Sequence, residues 1–164
     1  MAMASFQLVG LPAASFTPLF SLSDAELSEM HAQRVVATSN PGYPCRVSLT
    51  DAEIGEELLL LPYTHQPAAS PYRASGPIFV RRSARQPVVE AGQLPAYVTR
   101  RLMSVRAYDA GGWMTDAAVC PGAEAGAVIE RLFADARVAY IHLHNANRGC
   151  FSCAVQRISS GISE

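Results

Sequence analysis

The stretch VAYIHLHNANRGCFSCAVQRI, residues 138–158, decides the fold that this sequence predicts. Its first part alternates histidines with Ile141 and Leu143, the period-two pattern of a strand with one buried face. Residues 145–149 consist mainly of small and polar residues and end in a glycine, which is typical of a tight turn. The following residues resume an apolar pattern. The stretch therefore predicts an antiparallel hairpin.

Similar signals elsewhere predict further strands and two helices. Apolar or alternating runs between turn residues predict strands at residues 6–9, 45–49, 57–63, 78–80, 100–107 and 113–120. Ser23, with Glu26 three residues later, forms a capping box that starts a helix running to about His31. Residues 122–134 are rich in alanine and carry one apolar face, which predicts the second helix. We therefore expect an α+β fold: a mainly antiparallel sheet, which could be strongly curled, packed with two helices.

Length and composition indicate a single globular domain over residues 1–164. Of the 164 residues 49% are hydrophobic, enough for one buried core. No stretch reaches the roughly 18 consecutive apolar residues of a membrane span. Residues 1–22 contain no lysine or arginine and are interrupted by Gln7, Pro12 and Pro18, which does not fit a secretory signal. We expect a cytoplasmic protein whose four cysteines are free thiols or metal ligands.

The charged residues restrict the partners. The formal net charge is −1, so no global field attracts nucleic acid or an anionic membrane, and we expect neither as a partner. All thirteen basic residues are arginine, which excludes a Schiff-base lysine or a P-loop lysine. Arginine is well suited to hold carboxylates and phosphates, so recognition of a small anion stays open. A homodimer through an exposed sheet edge also stays open.

The predicted hairpin also carries the residue types of a metal site. Side chains two apart share one face of a strand, so His142 and His144 point the same way. In a regular hairpin Cys150 pairs near His144 and Ser152 near His142, while Cys153 falls on the opposite face. His142, His144 and Cys150 could then hold zinc, with water in the fourth position. An ordinary sheet face that carries two imidazoles is the favoured interpretation, so no cofactor and no metal are predicted, and the zinc site is the alternative.

Four blocks of the sequence are distinctive: YPCRVSLTDAEIGEELLLLPY (43–63), SPYRASGPIFV (70–80), VRAYDAGGWMTDAAV (105–119) and LFADARVAYIHLHNANRGCFSCAVQRI (132–158). Together they resemble the bacterial family called Domain of Unknown Function 1203, over about residues 43–158. The family has no established activity, so the resemblance implies no reaction. Its members carry C-x-x-C where this chain has Cys45 and Ser48, and His and Cys where residues 81–84 are Arg-Arg-Ser-Ala. The resemblance implies that a metal or thiol site shared by the family would be incomplete here.

The polar positions that match the family pattern supply the candidate ligand-binding residues, which are Arg46, Tyr72, Arg73 and Asn145. Loops 43–46 and 70–77 would present arginine and tyrosine side chains to a small anion. The alternative is that Arg46 and Arg73 pair with nearby carboxylates and only tie the loops to the sheet. The nearby carboxylates in question are Asp51, Glu53 and Glu57.

Two functional hypotheses follow from these residues. The first is a binding or accessory domain whose arginine and tyrosine loops contact a small anionic molecule or a protein partner. The second is an enzyme, with Cys45 or Cys150 as nucleophile or with a metal on His142, His144 and Cys150. A cysteine nucleophile needs a base or a positive environment, which Arg46 could supply to Cys45. The hypotheses differ in whether the cysteines and histidines meet in one pocket.

Overall fold

Two five-stranded sheets form the framework of the computed structural model, which describes residues 5–158. The ten strands of this part are β1 (Phe6–Val9), β2 (Gln33–Val36), β3 (Pro44–Cys45), β4 (Thr50–Asp51), β5 (Glu57–Gln66), β6 (Ala74–Arg81), β7 (Leu102–Tyr108), β8 (Met114–Pro121), β9 (Tyr140–Asn145) and β10 (Phe151–Arg157). Its α-helices are α1 (Asp24–Glu29), α2 (Ala96–Thr99) and α3 (Ala125–Phe133). Short 3-10 turns occur at Ala13–Ser15, Thr17–Ser21 and Gly122–Glu124. The ends of the predicted domain 1–164 lie outside the described residues, and its extent stays a prediction.

The α+β class is confirmed, but the prediction of one strongly curled sheet is wrong. The first sheet has the order β1-β10-β9-β7-β8 and the second β2-β5-β6-β3-β4. The second sheet exists because β5 is buried on both faces: Leu59 packs towards Phe151 of the first sheet, and Leu58 packs on the other side. A strand that is apolar on both faces must pack against other elements on both faces, and a single curled sheet would not provide them.

The main core lies between the first sheet and helix α3. Alternate residues of β7 and β9, such as Val105 and Leu143, point to this core, where Ile129 and Leu132 of α3 cover them. The amphipathic pattern at residues 122–134 predicted this helix, although its first turn is a 3-10 turn. Because strand side chains alternate, His142 and His144 point away from α3 and towards the second sheet.

The hairpin at residues 138–158 is confirmed, but its predicted register is wrong. The amide of Asn145 donates to the carbonyl of Cys150 at 2.9 Å, so these two residues close the turn. Phe151 is therefore opposite His144, and a bulge before Cys153 brings Ala154 opposite His142. A slip of one residue moves every side chain to the other face, which is why Cys150 does not share the histidine face.

Two further local predictions have opposite outcomes. Helix α1 begins after Ser23, whose Oγ accepts from the Glu26 amide at 3.1 Å, as the capping box predicted. The predicted strand at residues 45–49 is wrong beyond Cys45, because the Leu49 amide donates to the Cys45 carbonyl and closes a turn. This turn directs Arg46 and Val47 into the protein, where both are buried.

The outer boundaries of the sheets are formed by β1, β8, β2 and β4. The predicted homodimer through a sheet edge stays a prediction. Within residues 5–158, no helix has the length and apolar character required to cross a membrane. The cytoplasmic location likewise stays a prediction.

Substitution of Gly122 tests the packing that fixes the segment 98–101. A Cβ at Gly122 would lie 1.9 Å from the Val98 carbonyl oxygen and 2.6 Å from that of Arg101. We expect Gly122→Ala to lower the free energy of unfolding by about 1–3 kcal/mol, as overpacking typically does. Gly76→Ala is the control, because a Cβ there meets no atom within 4 Å. Urea unfolding measures both, and equal stabilities of the two variants would contradict this packing.

Candidate functional site

A pocket of about 480 Å³ lies where the β9–β10 turn approaches the second sheet. Its walls combine apolar side chains from the second sheet with polar side chains from three separate parts of the chain. The lining residues are Gly42, Pro44, Arg46, Leu60, Pro77, Phe79, Arg100, Arg101, Leu102, Asn145, Asn147, Arg148 and Cys150. Four of these are arginines and none is acidic, so the described lining is strongly positive. We call it the arginine pocket.

Arg46 forms a buried part of this pocket, with only 3% of the residue exposed. Its Nε donates to the Phe151 carbonyl at 2.8 Å and its Nη1 to the Pro44 carbonyl at 2.5 Å. These bonds hold the guanidinium between β3 and β10. No ion pair joins Arg46 to a carboxylate of residues 5–158. The positive charge is therefore fixed in place without a counter-ion among residues 5–158.

Arg100 and Arg101 share one carboxylate, that of Asp51. The Asp51 side chain is 3% exposed and forms ion pairs with both guanidinium groups. Arg101 also donates to the Tyr97 carbonyl at 2.8 Å, which fixes its direction. Arg148 is exposed on the β9–β10 turn. One carboxylate thus offsets only part of the positive charge at the pocket.

Two other polar side chains of the turn face the arginine pocket. The Asn145 side-chain oxygen is buried and has no hydrogen-bond partner. A buried acceptor without a donor is costly, so this oxygen favours a ligand with an N–H or O–H group. Cys150 is half-buried in the same lining. The pocket can therefore offer positive charge, a hydrogen-bond acceptor and a thiol.

A second cluster lies on the other side of Phe151, between the sheets. His65 of β5 meets His142 and His144 of β9, and one ring nitrogen of each lies within 4.8 Å of the others. The His65 ring stacks on Phe151, with centroids 5.3 Å apart. Phe151 meets the other two imidazoles edge-on, at 5.2 and 5.8 Å. We call these residues the histidine cluster.

The histidines of this cluster are held in their neutral form. Burial lowers the pKa of His142 to about 3, and the neighbouring His144, His65 and Arg106 add to the effect. Burial also lowers the pKa of His144 to about 4 and, to a smaller extent, that of His65. Nδ1 of His65, Nδ1 of His142 and Nε2 of His144 are buried without a hydrogen-bond partner. The cluster thus presents unused nitrogen atoms.

The residues predicted as catalytic or metal-binding are separated in the structure. Cys45 is completely buried, and its sulfur accepts from the Arg81 amide at 3.3 Å. Cys150 lies in the arginine pocket and is not part of the group that holds His142 and His144. The cysteines and the histidines therefore do not meet in one pocket.

The four predicted ligand-binding residues divide into two pairs. Arg46 and Asn145 both line the arginine pocket. Tyr72 instead packs edge-on to Trp113, with centroids 5.8 Å apart, and Arg73 donates to the Pro67 carbonyl. Neither Arg46 nor Arg73 forms the predicted alternative pairs with Asp51, Glu53 or Glu57 among the described residues. Asp51 pairs with Arg100 and Arg101, and Glu57 with Arg34 and Arg82.

Sequence reasoning missed His65, Arg100 and Arg101 as site residues. His65 continues the alternation of Leu59, Leu61 and Tyr63, so a longer predicted β5 would have placed it on the buried face. No sequence signal links Arg100 and Arg101 to the β9–β10 turn, because that contact depends on how the two sheets pack.

The fold and the site define an α+β domain of two packed sheets with a positively charged pocket. The family described as "protein of unknown function (DUF1203)" matches residues 42–157, and the chain belongs to this family. The comparisons found no similar curated protein and no similar solved structure.

The histidine cluster predicts how stability depends on pH. His142 and His144 protonate near pH 6.5 when unfolded but only near 3 and 4 when folded. The contribution of these two groups to stability should therefore be constant above about pH 6.5 and be lost as the pH decreases towards 4, by about 1.4 kcal/mol per pH unit for each group. Urea unfolding in the presence of EDTA measures this. We expect His142→Gln to reduce the slope, whereas His31→Gln, at an exposed position, should leave it unchanged. A slope that His142→Gln does not alter would contradict the assignment.

Proposed function

We propose that the protein binds a small anionic molecule in the arginine pocket. The observation that carries this proposal is the buried guanidinium of Arg46, which has no carboxylate partner among the described residues. A buried charge that no opposite charge balances is destabilising by several kcal/mol, on the order of the cost of breaking a buried ion pair. A bound anion would balance it.

The other polar groups of the pocket support the same type of ligand. Arg100 and Arg148 stand at exposed positions, where they can turn towards a carboxylate or phosphate. The Asn145 side-chain oxygen accepts but cannot donate, so it favours a ligand that also carries a hydroxyl or amide hydrogen. Leu60, Pro77 and Phe79 supply an apolar wall. We therefore propose a small hydroxylated or amidated carboxylate or phosphate, or an acidic group of a partner protein.

Calorimetric titration with citrate and with inorganic phosphate tests the proposal. We expect binding that weakens as salt increases, since screening acts on exposed charges at the pocket entrance. Arg148→Gln should weaken binding roughly 10-fold or more, because it removes a charge-assisted hydrogen bond. Arg85→Gln is the matched control, since Arg85 is exposed and lies outside the pocket. Equal losses in the two variants, or no binding of either anion, would overturn the proposal.

A second candidate function uses Cys150 as a nucleophile towards an electrophilic anionic substrate. The position of this thiol in the arginine pocket favours it, because positive charge attracts an anionic substrate to the sulfur. No histidine is among the described lining residues, so a nearby imidazole base is not part of this candidate.

Alkylation of Cys150 with a charged and a neutral reagent tests whether the pocket attracts anions to the thiol or merely leaves the thiol exposed. Iodoacetate is negatively charged and iodoacetamide is neutral, while both alkylate the same sulfur. The quantity measured is the rate with iodoacetate divided by the rate with iodoacetamide. We expect this ratio to be roughly 10-fold higher at Cys150 than for free cysteine, which is the lower end of the rate increases that electrostatic focusing produces. Mass spectrometry locates the label, and Arg148→Gln should reduce the ratio. Buried Cys45, Cys120 and Cys153 should react slowly. A ratio equal to that of free cysteine would count against a positive field at the thiol.

A further inference from the structure

We propose that His65, His142 and His144 form a binding site for a zinc ion between the two sheets. This site lies outside the arginine pocket and differs from the metal site that the sequence pattern suggests, because His65 takes the place of Cys150. One ring nitrogen from each histidine already lies within 4.8 Å of the other two. Three protein ligands, with water as the fourth, are typical of a catalytic zinc site.

The strand geometry explains why these three side chains meet. His142 and His144 are two residues apart on β9 and share a face. His65 lies on β5 of the second sheet, on the same face as Leu61 and Tyr63, which also pack towards Phe151. The cluster therefore joins two sheets that have separate backbone ladders. An ion bound there would cross-link them.

The nitrogen atoms of the cluster are available for coordination. A buried imidazole nitrogen normally has a hydrogen-bond partner, and leaving one without a partner is destabilising. Here each of the three histidines has such a nitrogen.

The second ring nitrogen of His144 forms a hydrogen bond of the kind that orients a metal-binding histidine. Its Nδ1 lies 2.9 Å from the Gly149 carbonyl oxygen. A carbonyl only accepts, so Nδ1 must carry the proton, and the lone pair is then on Nε2. Nε2 is the nitrogen of His144 that is buried without a partner. Donation from the second ring nitrogen to a carbonyl is the usual way that a ligating histidine is held.

The chemistry of the group favours zinc over magnesium or calcium. Imidazole nitrogens suit zinc and related transition ions, whereas magnesium and calcium prefer oxygen ligands. Nitrogens around a tetrahedral zinc are about 3.3 Å apart, given bonds of about 2.0–2.1 Å. The cluster nitrogens, which lie within 4.8 Å of one another, would have to approach by up to about 1.5 Å when zinc binds. Arg106 opposes binding, since its positive charge acts on all three imidazoles.

Metal titration of the untagged, chelator-treated protein tests the proposal. We expect one equivalent of Zn²⁺ to bind and to raise the melting temperature, and Co²⁺ to give the visible absorption of a tetrahedral site. His65→Gln should weaken binding by more than about 100-fold, because losing a ligand exceeds the roughly 10–100-fold effect of an outer partner. His65 is the least buried of the three, so its replacement is the least disruptive to folding. His31→Gln is the matched control and should bind as the original chain does.

Two further variants distinguish this ligand set from others. Cys150→Ser should bind Zn²⁺ as tightly as the original chain does. If Cys150 were a ligand in place of His65, the result would be reversed: Cys150→Ser would lose the metal and His65→Gln would retain it. Arg106→Gln should bind Zn²⁺ several-fold more tightly, because a nearby like charge is removed, a gain that a purely structural effect would not produce. The proposal is overturned if the original chain binds no stoichiometric Zn²⁺, or if His65→Gln binds it as tightly as His31→Gln.

Discussion

The hydrogen bond from Arg46 to the Phe151 carbonyl connects residues 105 positions apart and joins β3 to β10. The same guanidinium donates to Pro44, so one side chain satisfies two carbonyl groups where the sheets meet. Hydrogen bonds that involve a charged donor are stronger than neutral ones, but no carboxylate in the described part of the chain pairs with the charge of Arg46. The need to balance that buried charge explains why the pocket beside it is suited to an anion.

Phe151 separates two environments that favour opposite charges. Its backbone carbonyl accepts from Arg46 next to the arginine pocket, while its ring packs against the imidazoles of His65, His142 and His144. An apolar ring limits the water that reaches the imidazoles, which keeps them neutral and able to donate lone pairs. The proposed anion would thus bind on one side of Phe151, and the proposed zinc ion on the other.

The sequence allowed the local structure to be predicted better than the contacts between the sheets. The hairpin at residues 138–158 followed from alternation and turn residues, and the start of α1 followed from Ser23 and Glu26. The register could not be predicted, because it depends on the Asn145–Cys150 closure and on a bulge. That one-residue difference removes Cys150 from the histidine face. Arg46 and Asn145 were predicted as candidates from a family pattern, whereas their meeting with Arg100 depends on packing between segments far apart in the chain.

The β9–β10 turn contributes to both the arginine pocket and the histidine cluster. Its Gly149 carbonyl accepts from His144, which ties the turn to the histidine cluster. Asn145, Arg148 and Cys150 of the same turn line the arginine pocket. A contact that fixes the His144 ring therefore also restricts the pocket wall, because a five-residue turn has few conformations that keep both ends paired. A ligand that orders the turn at one site reduces the entropy loss that accompanies binding at the other site. Under the two proposals, the shared turn would favour positive coupling between anion binding in the arginine pocket and zinc binding at the histidine cluster.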